Sequence, residues 1–147
     1  MATTLNDAIN ALKDLWGISQ VAPDADGRYK FLFEGGLSFE IQPQGAKEAV
    51  LVAGIKKYPM GELPPEAELT KFLQYAGARI GFDCGKLSWE RQQTELIWCA
   101  PVRWSEMEKS DWLQIAENFL NSLEFWVKVG ENDERGSAPA SPFVIMP

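Results

Sequence analysis

RYKFLFEGGLSFEIQPQGAKEAVLVAGI, residues 28–55, carries the architecture, because three strands follow one another in it with only turns between them. Tyr29, Phe31 and Phe33 alternate with Arg28, Lys30 and Glu34, the pattern of a half-buried strand. Gly35-Gly36 supplies the positive φ angles of a tight hairpin. The return strand sets Leu37, Phe39 and Ile41 against Ser38, Glu40 and Gln42. Pro43-Gln44-Gly45 turns the chain again, and AVLVAGI, residues 49–55, forms a third strand that is apolar on both faces.

Toward the N-terminus, Leu5, Ala8, Ile9, Leu12, Leu15 and Trp16 recur at the spacing of one helical face, which predicts a helix over 4–16. Thr4 is placed to cap it, Asp7 lies in its first turn, and Gly17 ends it. Asp24, Asp26 and Gly27 mark the turn into the first strand. Toward the C-terminus, Pro64-Pro65 followed by Glu66 and Glu68 opens a second helix, with acids at the positive end of its dipole. Its apolar face is Leu69, Phe72, Leu73, Ala76 and Ile80, and it is expected to fray between Gly77 and Asp83.

KLSWE and TELIWCAPV form a second hairpin around Arg91-Gln92-Gln93. Ser105 and Ser110 are both candidate caps for a long last helix through Leu113, Ala116, Phe119, Leu120, Leu123, Trp126 and Val127. Lys56-Lys57 reads as a solvated strand end. Glu106, Glu108 and Asp111 read as capping and solvation at a helix start, not as an acid/base pair. After Gly130 the composition is that of a linker, so 1–130 is expected to be one domain and 131–147 a flexible tail ending in PFVIMP. The order αβββαββα predicts the α+β class, a five-stranded antiparallel sheet packed with three helices.

At 147 residues the chain is long enough for one domain with a real core. It carries 14 basic and 21 acidic side chains, a net charge of −7 that repels phosphate backbones and anionic bilayers. Neither nucleic acid nor membrane is an expected partner. There is no histidine, and Cys84 and Cys99 stand alone, so no zinc site and no Ser-His arrangement is possible. Glycine-rich phosphate motifs are absent too. No catalytic residue, metal or cofactor is therefore predicted, and the chain reads as a binding protein, not an enzyme. Two isolated thiols fit a reducing cytosol, the first residues lack the basic start of a secretory signal, and no apolar run approaches the ~18 residues of a membrane span. A cytoplasmic location is expected.

The helix LNDAINALKDLWGI, the hairpin YKFLFEGGLSFEIQ and the segment LVAGIKKYPMGELPPEAELTKFLQYAG carry a family resemblance, together with KLSWERQQTELIWCAPV and the helix end NFLNSLEFW. In this order they resemble the small acidic chaperones of bacterial type III secretion, the Tir-chaperone (CesT-like) family, over about residues 4–128. The resemblance implies a homodimer that binds the partly unfolded N-terminal segment of a secreted effector protein and keeps it soluble for export without ATP.

In that family helix 1 and the first strands supply effector contacts, which puts forward Ile9, Trp16, Leu32 and Phe39. Leu32 has support of its own, since it lies on the opposite face of its strand from Phe31 and Phe33. Trp16 has the size to be only partly buried at a helix end. Helix 2 lies near the dimer two-fold in the family, which implies contacts between subunits from Phe72, Tyr75 and Ile80, joined by Trp98. Two other readings stay open: a regulatory protein on the same scaffold that sequesters a transcriptional regulator of secretion, and a small-molecule binder or enzyme built in an aromatic pocket.

Overall fold

The computed structural model describes residues 4–19, 21–80 and 85–133. In chain order its elements are α1 (Leu5–Trp16), β1 (Tyr29–Leu32), β2 (Ser38–Gln44), β3 (Glu48–Lys57), α2 (Glu66–Ala78), β4 (Lys86–Glu90), β5 (Glu95–Val102) and α3 (Lys109–Asp133). The class is α+β, as the sequence predicts. One antiparallel sheet of order β1-β2-β3-β5-β4 is packed with three helices.

Local chemistry explains most boundaries. Thr4 Oγ1 accepts the N–H of Asp7 at 3.1 Å, satisfying an otherwise orphan donor at the start of α1. Gly17 closes that helix at φ 66°, a left-handed conformation that glycine adopts without a Cβ clash. Between β1 and β2 the chain makes a short 3-10 turn at Glu34–Gly36, and Phe33 N–H donates to Leu37 O at 2.8 Å. β1 therefore stops at Leu32, one residue before the alternation of the sequence does. Thr94, read from the sequence as strand, instead sits at φ 48°. A β-branched residue is strained there, and two bonds to Tyr58 hold it: its hydroxyl donates to Tyr58 O at 2.8 Å and its carbonyl accepts Tyr58 N–H at 2.9 Å.

The core lies between one face of the sheet and helices α1 and α3. Phe31, Phe39, Ile41, Leu51 and Trp98 are buried on the sheet side, and Trp112, Ala116, Phe119, Leu123 and Trp126 on α3. Trp112 falls outside the helical face read from the sequence. It donates its indole N–H to Ala8 O at 3.0 Å, which ties α3 to α1. Phe39 stacks on Phe31 at 5.4 Å and meets Phe119 edge-on at 5.3 Å, so the first hairpin and the last helix share one aromatic cluster.

Several expectations change. Neither serine caps α3: Ser105 donates its hydroxyl to Lys47 O at 3.3 Å, and Ser110 lies inside the first turn. Lys56 is no solvated strand end. A bulge between Gly54 and Lys56 turns it toward α2, where its ammonium pairs with Glu68 at 3.2 Å and reaches Gly130 O at 3.4 Å. Tyr58 donates its hydroxyl to the same Glu68 carboxylate. α2 ends at Ala78, where Arg79 N–H bonds back to Tyr75 O. The rest of the expected fraying zone, Gly81–Asp83, and Cys84 lie outside the described residues. α3 continues past Gly130 to Asp133, so the proposed tail loses its first residues to the helix; 134–147 lie outside the described residues.

Candidate binding face and helix surface

Strand alternation gives the sheet a second face, opposite α1 and α3. Register fixes its rows. Lys30, Glu40, Val52, Cys99 and Lys86 are successive partners across all five strands. The next row runs through Gly54, Ile97 and Ser88, with Leu32 and Ser38 paired at its far end. Along β3 and β5, the strands flanked on both sides, this face is apolar: Val50, Val52, Ile97 and Cys99, with Gly54 and Pro101 in line. All four of those side chains stay half-buried, with no helix above them among the described residues. Polar residues flank the stripe, and the whole forms a groove of about 690 Å³. Apolar area left uncovered between polar rims is the usual composition of a protein-binding surface.

Leu32 stands at the edge of this face, 66% exposed. Its strand, β1, is an edge strand, met on its outer side only by an isolated bridge between Pro23 and Tyr29 among the described residues. Beyond that bridge the edge offers free backbone groups to a further strand.

A second apolar surface lies on α2. Phe72 is its one buried residue, fixed against Trp126 at 6.0 Å, while Tyr75 meets Phe125 edge-on at 5.6 Å. Arg79 lies over the Phe125 ring at 4.1 Å. With the Lys56–Glu68 pair, these contacts attach α2 to the end of α3. Leu69 and Leu73, one turn apart on α2, are left facing outward, and so is Ile80 two residues past the helix end, at 83% exposure. Gly77 interrupts the stripe with open space where a Cβ would be.

The site residues expected from sequence divide accordingly. Leu32 is on the open face. Trp16 is half-buried, its indole edge against Phe31, Phe33 and Phe39 at 5.7, 5.1 and 5.8 Å. Ile9 and Phe39, 2% and 1% exposed, are core residues that offer no surface to a partner in this conformation. Phe72 and Trp98 are likewise buried within the subunit, whereas Ile80 is exposed and Tyr75 half-exposed. Thus the effector set and the intersubunit set each contain buried members. The groove floor of Val50, Val52, Ile97 and Cys99 and the outward Leu69 and Leu73 were not put forward. The signal for the floor was the strand apolar on both faces; one of those faces is open. Among the described residues no group of three or more His, Cys, Asp or Glu converges as a metal site, and no helix is long and apolar enough to cross a membrane.

No protein family profile matches the chain, and no curated protein matches it in sequence. Solved structures do match in fold. The ExsC–ExsE complex superposes with a TM-score of 0.63 over 84% of this chain and 91% of that one, at 14% identity. The Yersinia pestis type III secretion chaperone SycH, in complex with a stable fragment of YscM2, gives 0.60 over 86% and 99%, at 10% identity. An uncharacterized protein from Methanothermobacter thermautotrophicus gives 0.59 over 89% and 99%, at 13% identity. The fold is that of the type III secretion chaperones, and at these identities the likeness extends to the fold alone.

Proposed function

We propose that this chain is a cytoplasmic, non-enzymatic chaperone that holds a partly unfolded N-terminal segment of a secreted effector on the open face of its sheet. The observation that carries the reading is the apolar stripe of Val50, Val52, Ile97 and Cys99, uncovered among the described residues between polar rims. A fold shared with a secretion chaperone held in complex with a fragment of another protein supports it.

The face sets what each part of a segment does. β3 and β5 are paired on both sides, so their backbone groups have no capacity for a further strand. A segment crossing them must satisfy its own hydrogen bonds, and it does so as a helix laying an apolar stripe on the floor. At the outer edge of β1 the same segment adds as a strand, with Leu32 as an anchor beside it. The net charge of −7 keeps a chain with such surface soluble. Leu69 and Leu73 on α2, with Ile80 just past its end, form the contact with a second copy, which makes the working unit a homodimer.

The test is co-purification of the tagged chain with its partner, identified by mass spectrometry, followed by limited proteolysis and light scattering. The reading requires a dimer that protects the N-terminal region of one secreted protein. A transcriptional regulator in that place moves the protein to the regulatory reading, and a partnerless monomer removes both.

A further inference from the structure

The charges that line the groove separate along a diagonal; Lys86, on the same face at the outer edge of β4, does not line it. Arg28 and Lys30 line the groove at the β1 edge, near the row of Val50. Glu90 and Glu95 line it at the opposite corner, in the hairpin between β4 and β5. Glu40 lies beside Lys30 and bonds Gln42 at 3.4 Å, and Asp24 lies beside Arg28, so the basic corner carries two compensating acids, of which only Glu40 lines the groove. At the acidic corner Lys57 stands opposite Glu95 and Arg91 lies in the turn, yet neither lines the groove. Neither Glu90 nor Glu95 has a cation within ion-pair distance among the described residues.

Gly54 shows why Glu95 lies where it does. A Cβ at Gly54 would come 2.0 Å from Glu95 Oε2, so the carboxylate occupies the space that a side chain on β3 would fill. The missing methyl lets an acid lie flat on the apolar floor. Glu90 is held differently, accepting the N–H groups of Gln92 at 2.7 Å and Gln93 at 3.4 Å. Both carboxylates are thus fixed at one end of the stripe, half-buried, where solvent screens them less than it does a free surface charge.

From this geometry we infer that Glu90 and Glu95 set the direction of the bound segment: an amphipathic helix lies across the face with its N-terminal turn at these carboxylates and its C-terminal turn at Arg28 and Lys30. A helix carries a partial positive charge at its N-terminus and a partial negative charge at its C-terminus, so this direction is favoured and the reverse opposed, chiefly at the end where Glu90 and Glu95 have no cation within ion-pair distance among the described residues. The span also fits. From Lys30 on β1 to Glu95 on β5 is three strand spacings across and four residues along, roughly 19 Å, which about 13 helical residues cover. The partner chemistry follows: an apolar stripe of small and medium side chains over the floor, and no acid in the first turn of the helix.

The inference rests on the proposed use of the open face, and its test separates the two. The probe is a designed 16-residue helical peptide, capped at both termini, with a leucine and alanine stripe and otherwise neutral polar residues. It is made in two forms, with a benzophenone cross-linker at the first or the last position. On the full chain, the first-position form should cross-link to residues 90–95 and the last-position form to residues 28–32. Glu90→Gln with Glu95→Gln should weaken binding about fivefold, as expected for two carboxylates at a helix N-terminus. The variant should keep the wild-type circular dichroism, since neither side chain is in the core. Reversed cross-links, cross-links without preference, affinity unchanged in the double variant, or no binding by either peptide overturns the inference. In each of those cases, capture of a secreted protein by the wild-type chain leaves the chaperone reading standing. Capture of none removes that reading itself.

Discussion

Leu32 and Phe39 lie on opposite faces of the sheet and differ sharply in burial, so their replacement should act on different properties. Phe39 is 1% exposed and packs against Phe31, Phe33, Trp16 and Phe119. Its replacement by alanine opens a cavity shared by the first hairpin and α3, and should cost about 3–5 kcal/mol. For a domain of this size that lowers Tm by roughly 10 °C or more. Leu32 is 66% exposed, so only a third of its surface is buried by folding. Full burial of a leucine is worth about 1.5–3 kcal/mol, so Leu32→Asp should cost no more than about 1 kcal/mol, or a few degrees. Its effect should fall on binding: loss of an anchor and gain of a charge should weaken partner affinity at least about tenfold, which corresponds to about 1.4 kcal/mol. Thermal unfolding by circular dichroism at one protein concentration, with titration of the captured segment, reads both. Unfolding of Leu32→Asp comparable to that of Phe39→Ala would place Leu32 in the core and refute the assignment. Wild-type binding by a folded Leu32→Asp protein would refute it equally.

Other consequences are local. Glu68→Ala removes the carboxylate that pairs with the half-buried Lys56 ammonium and accepts the Tyr58 hydroxyl; it should cost about 1–3 kcal/mol, below the 3–5 of a fully buried pair, and hydrogen exchange should quicken across α2 before α3. Equal loss in both helices would contradict the clamp. Gly85→Ala drives a Cβ to 2.6 Å from Cys99 O and 2.9 Å from the Trp98 ring, so it should destabilise by about 1–3 kcal/mol in thermal unfolding, where an unchanged Tm would be inconsistent with that close approach. The N–H of Arg28 holds the Asp24 carboxyl below the usual carboxylate range, helped by the N–H of Asp26 and the Arg28 charge. Because the folded group is the more acidic, the turn is held at neutral pH and released only as pH falls through that lowered value. The amide signals of Asp26 and Arg28 in an NMR titration should move with a midpoint below that of an exposed carboxylate, and an ordinary midpoint would contradict this.

The sequence was most legible where one short-range rule acts alone. The Thr4 cap, the Gly17 stop, the Gly35-Gly36 turn and the two hairpins all depend on neighbours in the chain, and all are found. What escaped was set by packing at a distance. Thr94 is pulled out of extended geometry by Tyr58, and Lys56 is turned inward by a bulge and by a glutamate on α2. The apolar residues of α2 were visible as a face, but periodicity does not tell an inward face from an outward one. That depended on α2 being attached to the end of α3, with Phe72 as its one buried anchor. The same ambiguity hid the groove. A strand apolar on both sides reads as core, and here the residues that line one side, Val50 and Val52, have no helix over them among the described residues.

Cys99 sits half-buried in the middle of that apolar stripe, at the centre of the proposed binding face. The most direct measurement is its rate of alkylation by iodoacetamide, read by mass spectrometry of the peptide that carries it, with and without the captured partner segment. If the segment lies across the sheet, saturating partner should slow modification of Cys99 at least tenfold. An unchanged rate with the partner fully bound would mean that the open face is not where it binds.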